Sequence, residues 1–179
     1  MAIAGRPGAG KSSVASIMKR RGFKVIELSA QIRLLMKKER KPITPISVLE
    51  EGKLLRRRYG KSAVARLAMK HNRIAKNTVF SGLRSKSELD YIRKSTGKEV
   101  VLIYVTAPST IRLERLKKRE RAYTYAVMRK RDSEEDKFGL GRLAEGADFI
   151  VSNSSSITAL RNDVNYVLAM AANAMNSKG

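Results

Sequence analysis

Short runs of apolar and β-branched residues alternate along the chain with longer stretches whose apolar positions recur at helical spacing. Ala2–Ala4, Lys24–Leu28, Thr78–Gly82, Val100–Thr106 and Ala147–Ser152 read as strands, with helices between them. This alternation implies an α/β fold with a five-stranded parallel sheet wrapped by helices. Several helix starts are punctuated. Ser85 stands three residues before Glu88 as a capping box, and Pro108-Ser109-Thr110 supplies turn and first-turn chemistry ahead of Ile111-Arg112-Leu113. Gln31 to Arg40 and Val48 to Arg58 read as two helices separated by Lys41-Pro42-Ile43-Thr44-Pro45, whose prolines break any continuous helix. They suggest a helical insertion between the second and third strands. From Ile157 to Met175 the apolar residues Ile157, Leu160, Val164, Val167, Leu168 and Met175 fall near one helix face, as expected of a helix packed on the sheet. No repeat or linker divides the chain, so residues 1–179 read as one domain. The first strand has only three residues after Met1, which leaves a start further upstream open.

Between the first strand and the first helix lies Gly5-Arg6-Pro7-Gly8-Ala9-Gly10-Lys11-Ser12, which meets G-x-x-x-x-G-K-[ST] at every fixed position. Glycines let such a loop curl with its N–H groups around a phosphate. Lys11 would reach the β- and γ-phosphates, the Ser12 hydroxyl would ligate Mg²⁺, and the following helix from Ser13 adds a positive dipole end. Gly5, Gly8, Ala9, Gly10, Lys11, Ser12 and Ser13 are therefore the candidate ATP site, with Ser12 the candidate metal ligand.

Charge adds a second theme. The 38 Lys and Arg residues outnumber the 16 Asp and Glu residues, giving a net charge of +22, a field that suits a polyanionic partner. Absence of cysteine excludes a disulfide scaffold, a thiolate metal site and a cysteine nucleophile, and the single histidine, His71, excludes a histidine-rich metal cluster. No apolar run approaches a membrane span and no signal-peptide pattern opens the chain, so cytoplasmic residence without a membrane partner is expected. His71 has no acid at a spacing that would orient it and receives no role.

Beyond the loop stand Ile32-Arg33, Ser81-Gly82-Leu83-Arg84, Arg112-Leu113-Glu114-Arg115-Leu116, Arg131-Asp132, Phe138-Gly139-Leu140-Gly141 and Ala147-Asp148-Phe149-Ile150-Val151-Ser152-Asn153. In this order they resemble the nucleoside-monophosphate kinase group, which includes adenylate, cytidylate and dephospho-CoA kinases, and within it the archaeal nucleotide-kinase-related set. The resemblance runs from Ile3 to about Asn153. It implies a three-layer P-loop sandwich with an acceptor-binding insertion near residues 29–75 and a short lid near 118–137. It also implies transfer of a phosphoryl group from ATP to a nucleotide or nucleotide-like acceptor, with Arg33, Ser81 and Arg84 at the acceptor. Lys11, Arg84 and the lid arginines Arg121 and Arg131 would be the catalytic cations, Arg119 and Arg129 lying in the same lid region. Guanidinium forks suit this work because phosphoryl transfer relies on positioning and fixed positive charge.

Three departures from that group concern acids. Ser81 stands where relatives carry the aspartate of Asp-Gly-x-Arg, Ser29-Ala30 replaces a Gly-Asp pair, and Ala122-Tyr123-Thr124-Tyr125 replaces acidic lid residues. A hydroxyl at Ser81 contacts metal-bound water without charge, so weaker Mg²⁺ organisation and slow or absent turnover are expected. Asp132 and Asp148 are the nearest acids by motif, each equally compatible with a structural role.

A rival reading starts from the charge. Lys37–Lys41, Arg56–Arg58, Lys117–Arg121 and Arg129–Arg131 are four basic clusters, more than a small-molecule kinase needs. They suit phosphate-backbone contacts, with Tyr59, Tyr104, Tyr123 and Tyr125 as stacking faces, Tyr123 and Tyr125 foremost. The alternative is thus a kinase-derived, catalytically weakened RNA-binding protein associated with ribosomes or their assembly.

Overall fold

A computed structural model describes residues 1–121 and 123–176, the side chains of 175 and 176 excepted. Ala122 of the lid and the Met175 side chain lie outside the described residues. Five strands form one parallel sheet: β1 (Ala2–Ala4), β2 (Lys24–Glu27), β3 (Thr78–Leu83), β4 (Leu102–Thr106) and β5 (Phe149–Ser152), ordered β2-β3-β1-β4-β5. Each lies within about two residues of its expected span. The second ends one residue early because Leu28 opens a helix instead of closing the strand.

The period-two pattern sorts the strand side chains into two cores. Ala2, Ala4, Phe80, Leu102 and Tyr104 face one side of the sheet, and Ile3, Val79, Ile103 and Val105 the other. On the first side pack α2 (Leu28–Lys38), α4 (Ala63–Lys70), α5 (Lys86–Thr96) and α8 (Leu140–Glu145), through residues such as Ile32, Val64, Ile92 and Leu140. On the second side pack α1 (Lys11–Arg20) and α9 (Ile157–Asn176), through Val14, Met18, Leu160, Val164 and Val167. The amphipathic tail thus lies on the sheet as expected, except that Ile157 is exposed.

Three further helices, α3 (Pro45–Tyr59), α6 (Ser109–Arg119) and α7 (Tyr125–Lys137), stand around the carboxyl ends of the strands. Pro45 is the first residue of α3, and Thr44 caps it by exchanging hydrogen bonds with Ser47. The expected break between helices is therefore also a designed helix start. Only half of the capping box foreseen at Ser85 forms. The Ser85 hydroxyl accepts from the Glu88 N–H, but the Glu88 carboxylate turns to the Arg84 N–H (2.8 Å) and to Arg56 (2.6 Å). A buried carboxylate gains more from a guanidinium than from the cap position. The strand order reverses around β1, so the loop that follows it opens into the crevice at the carboxyl edge of the sheet.

Candidate functional site

The loop from Gly5 to Ser12 joins β1 to α1, and two of its glycines show why no side chain is tolerated there. Gly8 has φ +78°, and a Cβ on it would stand 2.7 Å from the Arg112 carbonyl oxygen. Gly10 has φ +99°, and a Cβ would overlap the Asn153 amide nitrogen. The loop is held from outside by its carbonyls. Arg112 donates to Pro7 O (3.2 Å), Arg115 to Gly8 O and Ala9 O (3.4 Å each), and the buried Asn153 to Ala9 O (2.9 Å). Arg115 also donates to Asn153 itself, at its backbone and side-chain oxygens (3.0 and 3.2 Å). With the carbonyls drawn outward, the loop is a cradle of amides that fits a phosphate chain.

Lys11 is turned into this cradle, its ammonium donating to Gly5 O (2.6 Å) and Arg6 O (3.0 Å). Burial pulls its pKa down to about 8. Glu135 acts against that fall, while Arg84, Arg131 and Arg119 reinforce it. Ser12 is exposed at the first turn of α1. Among the described residues no group of three or more His, Cys, Asp or Glu side chains could hold a metal by itself. The donor set, one hydroxyl beside a phosphate cradle, fits Mg²⁺ carried on a nucleotide.

Gly8, Gly10, Lys11 and Ser12 line one wall of a cavity of about 720 Å³. Arg33, Ser81, Arg84, Arg119 and Arg131 line the same cavity. Gly5 and Ala9 are buried in the loop, and Ser13 lines a shallower neighbouring pocket with Arg115, Lys118 and Asn153. Arg121 is a correction to the expected lid set: it is exposed and does not line the cavity, and Arg119, at the end of α6, stands there instead. Tyr123 is a second correction. Rather than presenting a stacking face, it is buried against Leu116 and Met128, and its hydroxyl accepts from Arg131 (3.4 Å). Tyr104 is buried too, which leaves Tyr59 and Tyr125 exposed.

Two carboxylates in this region escaped the motif reading. Glu27 lines the cavity at the end of β2, in register with Ser81 of β3. Ser29 donates to it (2.6 Å), Arg33 donates to it (3.0 Å), and Arg33 also reaches Ser29 (3.2 Å), closing a small ring of three side chains. Burial pushes the Glu27 carboxyl up, but the Ser29 hydroxyl and Arg33 guanidinium outweigh it and hold the carboxyl below its usual range. Glu135 of α7 is almost fully buried. It pairs closely with Arg84 and reaches the Arg131 Nε at 3.6 Å, gathering two of the cavity arginines on one acid. Arg84 is thus held at its backbone by Glu88 and at its guanidinium by Glu135. The signal for Glu27 was its place at a strand's carboxyl end. None marked Glu135.

Asp132 and Asp148 are structural. Asp132 takes a two-pronged bond from the buried Arg112 (2.9 and 2.7 Å), and Asp148 accepts from the Leu102 N–H at the start of β4 (2.7 Å). His71 is exposed at the end of α4 and forms no ion pair among the described residues.

Residues 1–137 match the family model described as the AAA domain. Over 159 residues the chain is 35% identical to a UPF0200 protein of Saccharolobus islandicus, with 86% of this chain and 84% of the relative covered. This chain belongs to the AAA-domain and UPF0200 families. Members of the P-loop kinase fold resemble this UPF0200 chain in three dimensions. A shikimate kinase from Acinetobacter baumannii in complex with shikimate superposes with a TM-score of 0.62 at 16% identity, covering 96% of this chain and 92% of that one. A gluconokinase from Sinorhizobium meliloti gives 0.56 at 16% identity, covering 99% and 95%. At such identities the likeness establishes the α/β P-loop kinase fold. No helix among the described residues is long and apolar enough to cross a membrane.

Proposed function

We propose that this protein transfers a phosphoryl group from MgATP to a phosphate-bearing, nucleotide-like acceptor. The observation that carries this reading is one cavity lined both by the phosphate cradle and by Arg33, Arg84, Arg119 and Arg131. Loop amides and Lys11 hold the β- and γ-phosphates, the Ser12 hydroxyl holds the metal, and Arg33 and Arg84 grip the acceptor phosphate. Mg²⁺, when bound, neutralises charge that develops on the phosphate oxygens. Ile32, Ile43, Val48 and Leu49 give the acceptor side an apolar face, which suits a base better than a free polyol.

Glu27 supplies a carboxylate beside Ser81, so the site is not stripped of acids as the sequence motif alone suggests. It orients Arg33 and faces the region where acceptor and metal-bound water would meet. Glu135 acts through Arg84 and Arg131 by holding both at the cavity. The protein therefore retains the parts for turnover, which favours a kinase over a decayed derivative.

The test is ADP release from nuclease-treated, high-salt-washed protein against AMP, CMP and dephospho-CoA, beside two variants. Acceptor-dependent release that Lys11→Ala abolishes is expected. Glu27→Gln should lower turnover by about 10- to 100-fold, in keeping with loss of a positioned acid group, while MgATP affinity stays within about 2-fold. Failure of every acceptor to stimulate release would overturn the reading.

A further inference from the structure

The +22 charge is not spread evenly over the chain's ion pairs, and α7 shows the asymmetry. Each of its four acids faces inward or toward a neighbouring cation: Asp132 on Arg112, Glu134 on Lys53 and Lys137, Glu135 on Arg84 and Arg131, Asp136 on Arg6. Its other cations, Arg129 and Lys130, are exposed and have no acidic partner among the described residues. The end of α6 and the turn after it repeat the pattern. Lys117, Lys118, Arg119 and Arg121 are exposed without an ion pair among the described residues, and the nearby Glu120 is half-buried in the cavity wall. Tyr125 is 52% exposed and stands one helical turn before Arg129 on the same face of α7. The rim around the lid therefore joins unpaired cations to a free aromatic ring, and Arg119 links it to the mouth of the cavity.

We propose that this rim, formed by Lys117, Lys118, Arg119, Arg121, Tyr125, Arg129 and Lys130, is a docking surface for single-stranded nucleic acid, with its cations on the phosphates and Tyr125 under a base. Exposed lysines and arginines gain affinity by releasing counterions from a phosphate backbone, and an exposed tyrosine adds stacking that tolerates any base. One of the other exposed basic stretches, Arg57, Arg58 and Lys61 at and just after the end of α3, lacks this arrangement. Arg58 lies over the ring of its neighbour Tyr59, 5.4 Å from the centroid, so that ring is already occupied. The rim residues used to test it, Lys117, Tyr125, Arg129 and Lys130, do not line the cavity.

Fluorescence anisotropy of labelled oligouridine on the washed full chain tests this, with salt as the variable. The triple variant K117E/R129E/K130E should weaken binding at least about 10-fold and flatten the slope of log K against log salt by about 2, at roughly 0.7 per lost phosphate contact. Tyr125→Ala should weaken it about 5-fold or more through lost stacking. The control R57E/R58E/K61E carries the same charge change and should stay within about 2-fold, and Lys11→Ala should bind as the parent does. If the first triple melts early, R129Q/K130Q replaces it and should still weaken binding. Equal losses in the two triples would reduce the effect to bulk charge and overturn the proposal. So would displacement of the strand by MgATP together with loss in Lys11→Ala, which would put the strand in the cavity. Sedimentation with phosphatidylserine vesicles but no oligouridine binding would assign the rim to a membrane instead.

Discussion

Lys11 shows what one residue's surroundings do to its chemistry. In the loop sequence it is a lysine with an ordinary pKa, and the motif alone names it as a phosphate ligand. Folding removes water from its ammonium and sets three arginines around it, so its pKa falls to about 8. The charged form, which grips phosphate, dominates below that value and is lost above it. MgATP affinity measured by calorimetry should therefore hold steady up to about pH 8 and decline as pH rises further, and Lys11→Ala should show no such limb. The linked effect on the empty protein has the opposite sense. Between pH 8 and the ordinary lysine value of 10.5 the unfolded chain binds more protons than the folded one, so stability conferred at this group rises with pH. Arg33 and Arg84 were legible as residues of this cavity because their motifs follow β2 and β3. Glu27 was not, since a motif that names the missing aspartate draws attention to Ser81 and away from the neighbouring strand.

At the scale of elements, α7 joins the parts of the site. Asp132 pairs with Arg112 of α6, which in turn holds Pro7 of the phosphate loop, and Arg6 of that loop reaches Asp136 (3.0 Å) and Asp132 (3.6 Å). One helix thus fixes both the loop and the arginines opposite it. Asp132→Ala leaves the Arg112 guanidinium buried without its partner and should cost about 3 kcal/mol or more in denaturant unfolding. Replacing both, as Arg112→Met with Asp132→Leu, should recover most of that loss, while MgATP binding stays weakened because the Pro7 carbonyl loses its donor. Helix positions were readable from apolar spacing and from Pro45, but the inward turn of the acids on α7 was not. That helix carries charge on nearly every face, so its periodicity says little about which face meets the core.

For the whole molecule, nucleotide binding should stabilise the fold by mass action. At a hundredfold excess of MgATP over its Kd the gain is about 2.7 kcal/mol, which for a chain of this size raises Tm by about 5 to 10 °C in a thermal melt. Lys11→Ala should remove the shift, and so should chelation of magnesium in large part. The sequence by itself determined the sheet, its five strands, the helices between them and the phosphate loop, because these depend on local periodicity, on turn residues and on a motif whose parts lie side by side in the chain. Only the tertiary structure decided which arginines share the loop's cavity, which acids restrain them and which cations stay without an ion pair among the described residues. Those partners are far apart in sequence: Arg112 and Asp132 are separated by 20 residues, Arg84 and Glu135 by 51, and Asn153 and Ala9 by 144. Side chains meet across such distances only where packed elements bring them together, and no local pattern records the meeting.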